Sequence, residues 1–458
     1  MKIKFIIILF PLLGNAITLK ASSLSDIVDI ALNNNLSLKS AKKNYEASQY
    51  NADIHRSKFL PSLSLHADTI WNENKEFQTT DQHIKNDYNS NSYSLLLSQS
   101  LFNLNDIYTI TSTQLDIDVS ELQSLQTEQE VIKQAATEYF NFLKNSSQIK
   151  ATETEFSSSI ARFKQMERNI QLGNTAKSEI YEVIAQKENI KNRLLTLKKE
   201  KTVILNNLNN ILQVNTIPSF DLSKLTHFPK INQPEEVFLR KTMFVLNTNI
   251  LISKKELKKS KQQIKEAQST FSPTLTGDIR YRKDNTNNPS SNSPPDFGIN
   301  ESIVYSLNFS LPLSTGGSDL YTYRKNKVEF EKSHLDLIKS GEDSLQTFNN
   351  LIANINDFSR SLESYSLIIK ANYASYNGIK KAHKLGTRTI TDLLSAESKL
   401  FNSIRDYESA RYNYVIDLIN LNEVIGLLNM HYINSIMSDM VPMTDNLSSS
   451  PIPLHLIK

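Results

Sequence analysis

The sequence predicts a mainly α-helical chain that also carries four membrane β-strands and is built from two copies of one long unit. Three observations predict it. A set of residues recurs at a fixed offset, long stretches lack helix breakers, and four short segments alternate apolar with small polar side chains.

The repeat comes first because it orders everything else. Asn35, Lys42, Lys43, Ser48, Phe59, Pro61 and Leu63 return about 212 residues later as Asn247, Lys254, Lys255, Ser260, Phe271, Pro273 and Leu275. Tyr93, Ser94, Leu95, Ser98 and Leu101 return at the same offset as Tyr305, Ser306, Leu307, Ser310 and Leu313. Leu172-Gly173 returns as Leu385-Gly386 with the register slipped by one residue. A register held this long means two copies of one structural unit. Each copy reads as a helix, two alternating segments, a very long helix, a glycine and another helix.

Punctuation places the helices. From Leu104 to Leu172 there is neither Gly nor Pro, and the next stretch without them runs from Asn174 to Ile217. In the second copy, Ser318 to Leu385 holds only Gly341 and Gly378, and Thr387 to Ile425 holds neither residue. At ~1.5 Å per residue each long helix would reach about 100 Å and needs partners along its length. Heptad spacing supplies them: Leu393, Leu400, Tyr407, Tyr414 and Leu421 fall seven apart, with Ala396 and Ala410 between. Leu125, Ile132 and Tyr139, flanked by Ala136 and Leu143, do the same in the first copy. Such a seam is what a coiled coil buries. Gly173 and Gly386 read as C-cap glycines, so each copy ends in a long helical hairpin.

The strands come from a period of two. Leu63, Leu65, Ala67, Thr69 and Trp71 alternate with Ser62, Ser64, His66, Asp68 and Ile70, and Tyr93, Leu95, Leu97 and Leu101 with Ser92, Ser94, Ser98 and Ser100. The second copy sets Leu275, Ile279 and Tyr281 against Thr276, Asp278 and Arg280. It then sets Ile303, Tyr305, Leu307, Phe309, Leu311 and Leu313 against Ser302, Ser306, Asn308 and Ser310. Segments of this kind fit transmembrane β-strands. Trp71, Tyr93, Tyr281 and Tyr305 are placed near strand ends, as in an aromatic girdle. The connections Asn72–Asn91 and Lys283–Glu301, rich in Asn, Ser, Asp and Pro, read as outward loops. Four strands cannot close a membrane barrel, whose smallest form needs about eight. An open edge in lipid leaves unpaired backbone groups at several kcal/mol each. Identical chains must therefore complete it, two, three or four of them giving about 8, 12 or 16 strands. The polar inner face disfavours eight, whose interior side chains fill.

Composition bounds the setting. Lys2 and Lys4, the apolar run Phe5 to Leu13 and Gly14-Asn15-Ala16 read as a secretory signal over residues 1–16. No segment is long and apolar enough for a spanning helix. The chain has no cysteine, which excludes disulfides and thiolate metal sites. A formal charge of +3 without a basic block gives no footprint for nucleic acid. With 39% hydrophobic residues and a mean hydropathy of −0.38, the composition suits extended helices with wetted surface. The predicted divisions are then residues 17–217 for the first copy, 218–233 for an inter-repeat link beside the helices, 234–430 for the second copy, and 431–458 for a tail loosely ordered from Ser438.

No enzyme is indicated. The eight histidines are scattered, with no HExxH, no phosphate-cradling loop and no GxSxG. Gly316-Gly317 reads as a turn into the second long helix. No cofactor or metal is expected. The rival to a membrane assembly is a periplasmic coiled-coil adaptor or scaffold without a channel; that class normally has one helical hairpin, and this sequence has two.

The run Leu385-Gly386-Thr387-Arg388-Thr389-Ile390-Thr391-Asp392-Leu393-Leu394, followed by Ala410-Arg411-Tyr412-Asn413-Tyr414-Val415-Ile416-Asp417, resembles the TolC family of outer-membrane efflux proteins. Leu24-Ser25-Asp26 through Ala31-Leu32-Asn33-Asn34-Asn35, then Phe59-Leu60-Pro61-Ser62-Leu63, match that family's opening repeat, and the likeness covers roughly residues 22–430. The resemblance implies a homotrimer with a 12-stranded barrel in outer-membrane lipid and a helical barrel in the periplasm. Its partners would be a periplasmic adaptor and an inner-membrane transporter, and its cargo drugs, small molecules or secreted proteins. It also implies a closed periplasmic tip. Asp392 and Glu179 would belong to the constriction, Arg388 and Ser178 to the links that hold the coils, and Leu172, Gly173, Leu385, Gly386 and Thr387 to the turns that meet the adaptor. Two positions depart from the pattern: Ser395 stands where a second acid is expected, and His383 where a tyrosine is. The entrance should then carry less negative charge, and its links should differ.

Overall fold

The computed structural model describes residues 23–77, 83–173, 176–214, 223–225, 228, 231–287, 298–438 and 440–442. The expected signal over residues 1–16 and the last part of the tail lie outside these residues. The element order runs through one pattern twice. The first pass is α1 (Leu24–Asn34), α2 (Leu36–Ser57), β1 (Ser62–Phe77), β2 (His83–Asn103), α3 (Leu104–Gln171) and α4 (Glu179–Leu212). After a short β3 (Ser223–Leu225), the second is α5 (Gln233–Leu246), α6 (Thr248–Ser269), β4 (Thr274–Asn287), β5 (Gly298–Ser310), α7 (Ser318–Lys384) and α8 (Ile390–Ile425). Helix α9 (Met430–Ser438) and β6 (Met440–Pro442) follow. The long helices α3 and α7 have 68 and 67 residues, as the absence of breakers requires.

Two compact units result, one of Met1–Lys39, Thr127–Asn247 and Leu345–Lys458, the other of Ser40–Gln126 and Thr248–Ser344. The second unit holds a four-stranded antiparallel sheet in the order β1-β2-β4-β5, so the two repeats meet at β2 and β4. The register stacks the apolar positions across all four strands: Leu63 opposite Leu97, Leu97 opposite Ile279 and Ile279 opposite Tyr305, with Leu65, Leu95, Tyr281 and Ile303 in the next row. This face is exposed, Leu65 at 69% and Leu307 at 67%. On the other face Ser98 and Asn308 donate to the two carboxylate oxygens of Asp278. One face is therefore oily and unpacked and the other polar and hydrogen-bonded, which inverts a soluble sheet.

The strands are longer than the period of two suggests. Residues 72–77, 83–91, 283–287 and 298–301, expected in outward loops, continue the ladders. Polar Asn and Asp side chains hid them, because a strand beyond the apolar band needs no oily face. Tyr281 and Tyr305 consequently sit inside the apolar band rather than near an end, whereas Tyr93 lies at its border, opposite Lys283. Leu311 and Leu313 lie past the end of β5, where Leu311 and Pro312 begin the lead into the Gly316-Gly317 turn. Both of those glycines have positive φ, 67° and 90°. Among the described residues β1 and β5 each have one unpaired edge.

In the first unit the helices pack on a seam. Leu393, Leu400, Tyr407, Tyr414 and Leu421 of α8 are all buried, as are Ile132, Tyr139, Ala136 and Leu143 of α3. Each such leucine contributes about 1.5–3 kcal/mol by leaving water. Leu125, expected on the same seam, is instead 44% exposed. A seven-residue pattern drifts ~20° per heptad on an uncoiled helix, so it cannot face one partner indefinitely.

The single opening helix expected in each copy is two, broken at Asn35 and Asn247. Each asparagine C-caps the helix before it, its N–H donating to Ala31 or Met243. Each is buried, and its side-chain amide donates to the end of a hairpin helix, Asn35 to the Ile211 carbonyl and Asn247 to the Val424 carbonyl, at 3.2 and 2.7 Å. The repeat thus conserves an elbow within this unit. Replacing Asn247 by Ala leaves a buried carbonyl without its donor; we expect about 1–3 kcal/mol lost from the unfolding free energy, read as a lower urea midpoint. Ahead of Ser438, α9 packs on α1 through Ile433 and Ile436, and beyond it, where loose order is expected, β6 pairs with β3.

Candidate functional site at the helical turns

The hairpin α7–α8 turns on Gly386, which has φ +75° and open space around it. The N–H of Leu385 reaches Lys381, that of Gly386 reaches His383, and that of Thr387 reaches Ala382 at 3.0 Å. These bonds satisfy carbonyls that the end of α7 would otherwise leave bare. Gly173 ends α3 likewise, with φ +74° and its N–H on Ile170. Leu172 and Leu385 stand out at 72% and 79% exposure, an unusual position for leucine at a tight turn.

The start of α8 is built by a capping box. The Thr389 side chain accepts from the Asp392 N–H, and the Asp392 carboxylate accepts from the Thr389 N–H at 3.1 Å. That backbone donor, with the Thr389 hydroxyl, holds the Asp392 carboxyl below its ordinary value; Arg388 adds a smaller pull in the same direction. Arg388 lies 3.9 Å from Asp392 on a solvent-exposed i,i+4 pair, so its contribution is weak. The sequence carries the signal for this cap in Thr389-x-x-Asp392, although reading Asp392 only as a ring charge passes over it.

The two hairpins do touch near the turns, through a residue the sequence did not single out. Thr391 donates to the carboxylate of Glu182, on the first turn of α4. Ser178 caps α4 without a side-chain hydrogen bond and Glu179 is the first helical residue, half buried. Ser395 is exposed three residues beyond Asp392. His383 lines a small pocket with Arg162, Lys380 and Lys384.

Further along the same unit, charges are buried between apolar layers. Glu155 of α3, wholly inaccessible, takes Arg405 of α8 at 2.6 Å and Arg193 of α4 at 3.6 Å. Arg162 of α3 pairs with Glu397 of α8 at 2.8 Å, and Ser158 donates to the other Glu397 oxygen at 2.7 Å. Burial pushes the Glu397 carboxyl up, and Arg162 offsets only part of it. The Glu397–Arg162 pair falls between the cluster around Ile369, Leu400 and Ile404 and that around Met166, Val183 and Leu393, and Arg405 sits on α8 within the first of these, between Ile404 and Tyr407. No motif announces them. They are charged residues buried or nearly so on α3 and α8, and heptad counting that looks only for apolar residues misses them.

An exposed oily sheet, paired helical hairpins and an internal repeat fit a protein that places its strands in a membrane. The chain belongs to the outer membrane efflux protein family, whose model matches it twice, over residues 27–213 and 244–427. It is 25% identical over 426 residues to Outer membrane protein TolC of Escherichia coli, covering 90% of this chain and 83% of that protein. It is 20% identical to the alkaline protease secretion protein AprF of Pseudomonas aeruginosa, covering 89% of this chain and 85% of that one. Among solved structures it resembles the Campylobacter jejuni CmeC outer membrane channel, with a TM-score of 0.75, 16% identity, and coverage of 91% and 89%. This is a family of transport proteins of the outer membrane, not of enzymes. Membership sets aside the adaptor alternative. No helix among the described residues is long and apolar enough to cross a membrane.

Proposed function

We propose that three copies of this chain close a shared barrel of twelve strands in the outer membrane. In this assembly the hairpins form a helical conduit in the periplasm, which exports small molecules, drugs or secreted proteins. The observation that carries the reading is the sheet itself: four strands, one exposed apolar face, one polar face and an unpaired edge at each end. The band from Leu275 to Lys283 is nine residues long, at the short end of the about 9–11 residues that a tilted strand uses to cross a bilayer. The polar face, with Asp278 and its partners, would line the pore. β1 of one copy would pair with β5 of the next, which leaves no edge in lipid. A periplasmic adaptor and an inner-membrane transporter would complete the path, and the exposed Leu172 and Leu385, with Gly173, Gly386 and Thr387, offer the adaptor two apolar turns. Purified mature protein should run as a trimer on unheated gels and give single-channel currents in planar bilayers. A water-soluble monomer stable without detergent would overturn this reading.

The tip is where passage is controlled in this proposal. Asp392, with Glu179 and Ser395, would face the constriction, and Arg388, Ser178 and His383 would serve the links. The carboxylate that caps α8 would in this proposal also be the one presented to passing ions, so Asp392 would carry two tasks. Replacing Arg388 by Ala should raise conductance, and replacing Asp392 by Asn should lower cation preference. Because Arg388 contributes little within the chain, an unchanged current in the Arg388 variant would remove it from gating rather than reveal a folding defect.

A further inference from the structure

We infer that the pocket beside the α7–α8 turn is a binding site for a small oxyanion, a phosphate or a carboxylate. Arg162 comes from α3, and Lys380, His383 and Lys384 come from the last turns of α7. Together they enclose a cavity of about 60 Å³. The acidic group that faces this wall is Glu397, which pairs with Arg162, is attracted by Lys380 and already accepts from Ser158. Its neighbour Glu155 is engaged by Arg405 and Arg193. One carboxylate therefore answers Arg162, Lys380 and Lys384, and the pocket keeps an excess of positive charge.

A second observation points to a missing acceptor. The Arg162 guanidinium uses one terminal nitrogen on Glu397, while the other, Nη1, is buried with no hydrogen-bond partner. A buried donor on a charged group costs free energy until something accepts from it. Gln165 and Asn169 bring side-chain amides to the same wall, and buried Met166 and Leu393 supply an apolar floor that weakens screening. Donors from a guanidinium and two ammonium groups around a cavity of this size suit a group with two or more charged oxygens. An anion held there would tie the end of α7 to α3 and relieve the repulsion between Lys380, Lys384 and Arg162.

The test is ligand-dependent unfolding of the full-length protein in detergent, titrated with inorganic phosphate against chloride at matched ionic strength. Phosphate should raise the melting temperature in a saturable way. The Lys380→Gln/Lys384→Gln variant should bind about tenfold more weakly or worse. Its melting point in chloride should fall by a few degrees at most, since both lysines are exposed and Lys380 gives up only its attraction for Glu397 and its contact with the Tyr376 ring; Arg162 is left intact because Glu397 depends on it. Acetate in a parallel titration separates the sources. An acetate response equal to that of phosphate identifies a carboxylate site fit for an acidic side chain of a docked partner, and a phosphate-only response a free tetrahedral ion. A rise that never saturates, or one that the variant reproduces in full, overturns the site. The reading is taken on unfolding alone, so its failure leaves the export channel untouched.

Discussion

Gly426→Ala is expected to be the most damaging single-methyl substitution in the chain. Gly426 closes α8 with φ +88°, a left-handed conformation that costs an L-residue about 1–2 kcal/mol. Space is the larger obstacle. A Cβ built there lies 2.7 Å from the Leu246 carbonyl carbon and 3.2 Å from the Asn247 nitrogen. These are backbone atoms, so no side-chain rotation relieves the overlap. Leu246 and Asn247 form the α5–α6 elbow, whose Asn247 amide reaches back to the Val424 carbonyl at 2.7 Å. Moving the elbow away would break that bond and disturb the Gln129 donor to the Gly426 carbonyl. Conformational strain, overpacking and a lost buried hydrogen bond together should cost on the order of 4 kcal/mol. Circular dichroism melts should show a lower midpoint and a poorer yield of oligomer. Gly173→Ala and Gly386→Ala are the controls. They share the positive φ, at 74° and 75°, but nothing lies within 4 Å of either Cβ, so each should cost only about 1–2 kcal/mol. Three equal effects would mean that the close approach at Gly426 carries no weight.

That contrast also marks what the sequence can and cannot disclose. All three glycines follow long helical stretches; Gly173 and Gly386 read as C-caps from position alone, whereas Gly426 is identified as the cap of α8 only by the structure. Only packing separates them, because the crossing of α8 by the α5–α6 elbow joins residues far apart in the chain. The same division holds elsewhere. The helices were legible because breakers are scarce, and the sheet because oily and polar residues alternate within the membrane band. Beyond that band Asn and Asp carry the strands onward with no oily face to signal them. At the turns, the positions of Gly173, Gly386 and the Thr389–Asp392 cap are local chemistry and can be read directly. The Thr391–Glu182 bond is not local. It joins residues 209 positions apart, one in each repeat, and two polar residues on solvent-facing helix turns give no hint of each other. Leu125 is the converse case: it keeps the heptad spacing of Ile132 and Tyr139, yet within one chain it is exposed where they are buried.

Arg405→Leu should be nearly as costly as the change at Gly426, for a different reason. Glu155 is wholly buried, and its close partner is Arg405 at 2.6 Å; Arg193 stands off at 3.6 Å and is 40% exposed. Removing the arginine leaves a buried carboxylate with one distant cation, and its Oε1 already lacks a hydrogen bond. Deleting one partner of a buried pair typically costs about 3–5 kcal/mol, mainly the desolvation of the charge left behind. Neutralising both should be far milder. Glu155→Gln/Arg405→Leu removes the uncompensated charge, and Leu fills part of the space among Leu400, Phe401 and Ile404. A double-mutant cycle on the urea midpoint should therefore give a coupling of about 2 kcal/mol or more. The size of that coupling decides what the charged layer is for. If the double variant is as stable as wild type yet loses trimer yield or closes poorly in bilayer recordings, the Glu155–Arg405 and Glu397–Arg162 pairs fix which face of α8 meets α3 rather than adding stability. Apolar layers alone would allow α8 to slide or rotate along a seam of similar residues, whereas an ion pair buried between them is satisfied in one register only. Strictly additive single and double variants would instead reduce the layer to two independent contacts and remove its role in setting the hairpin register.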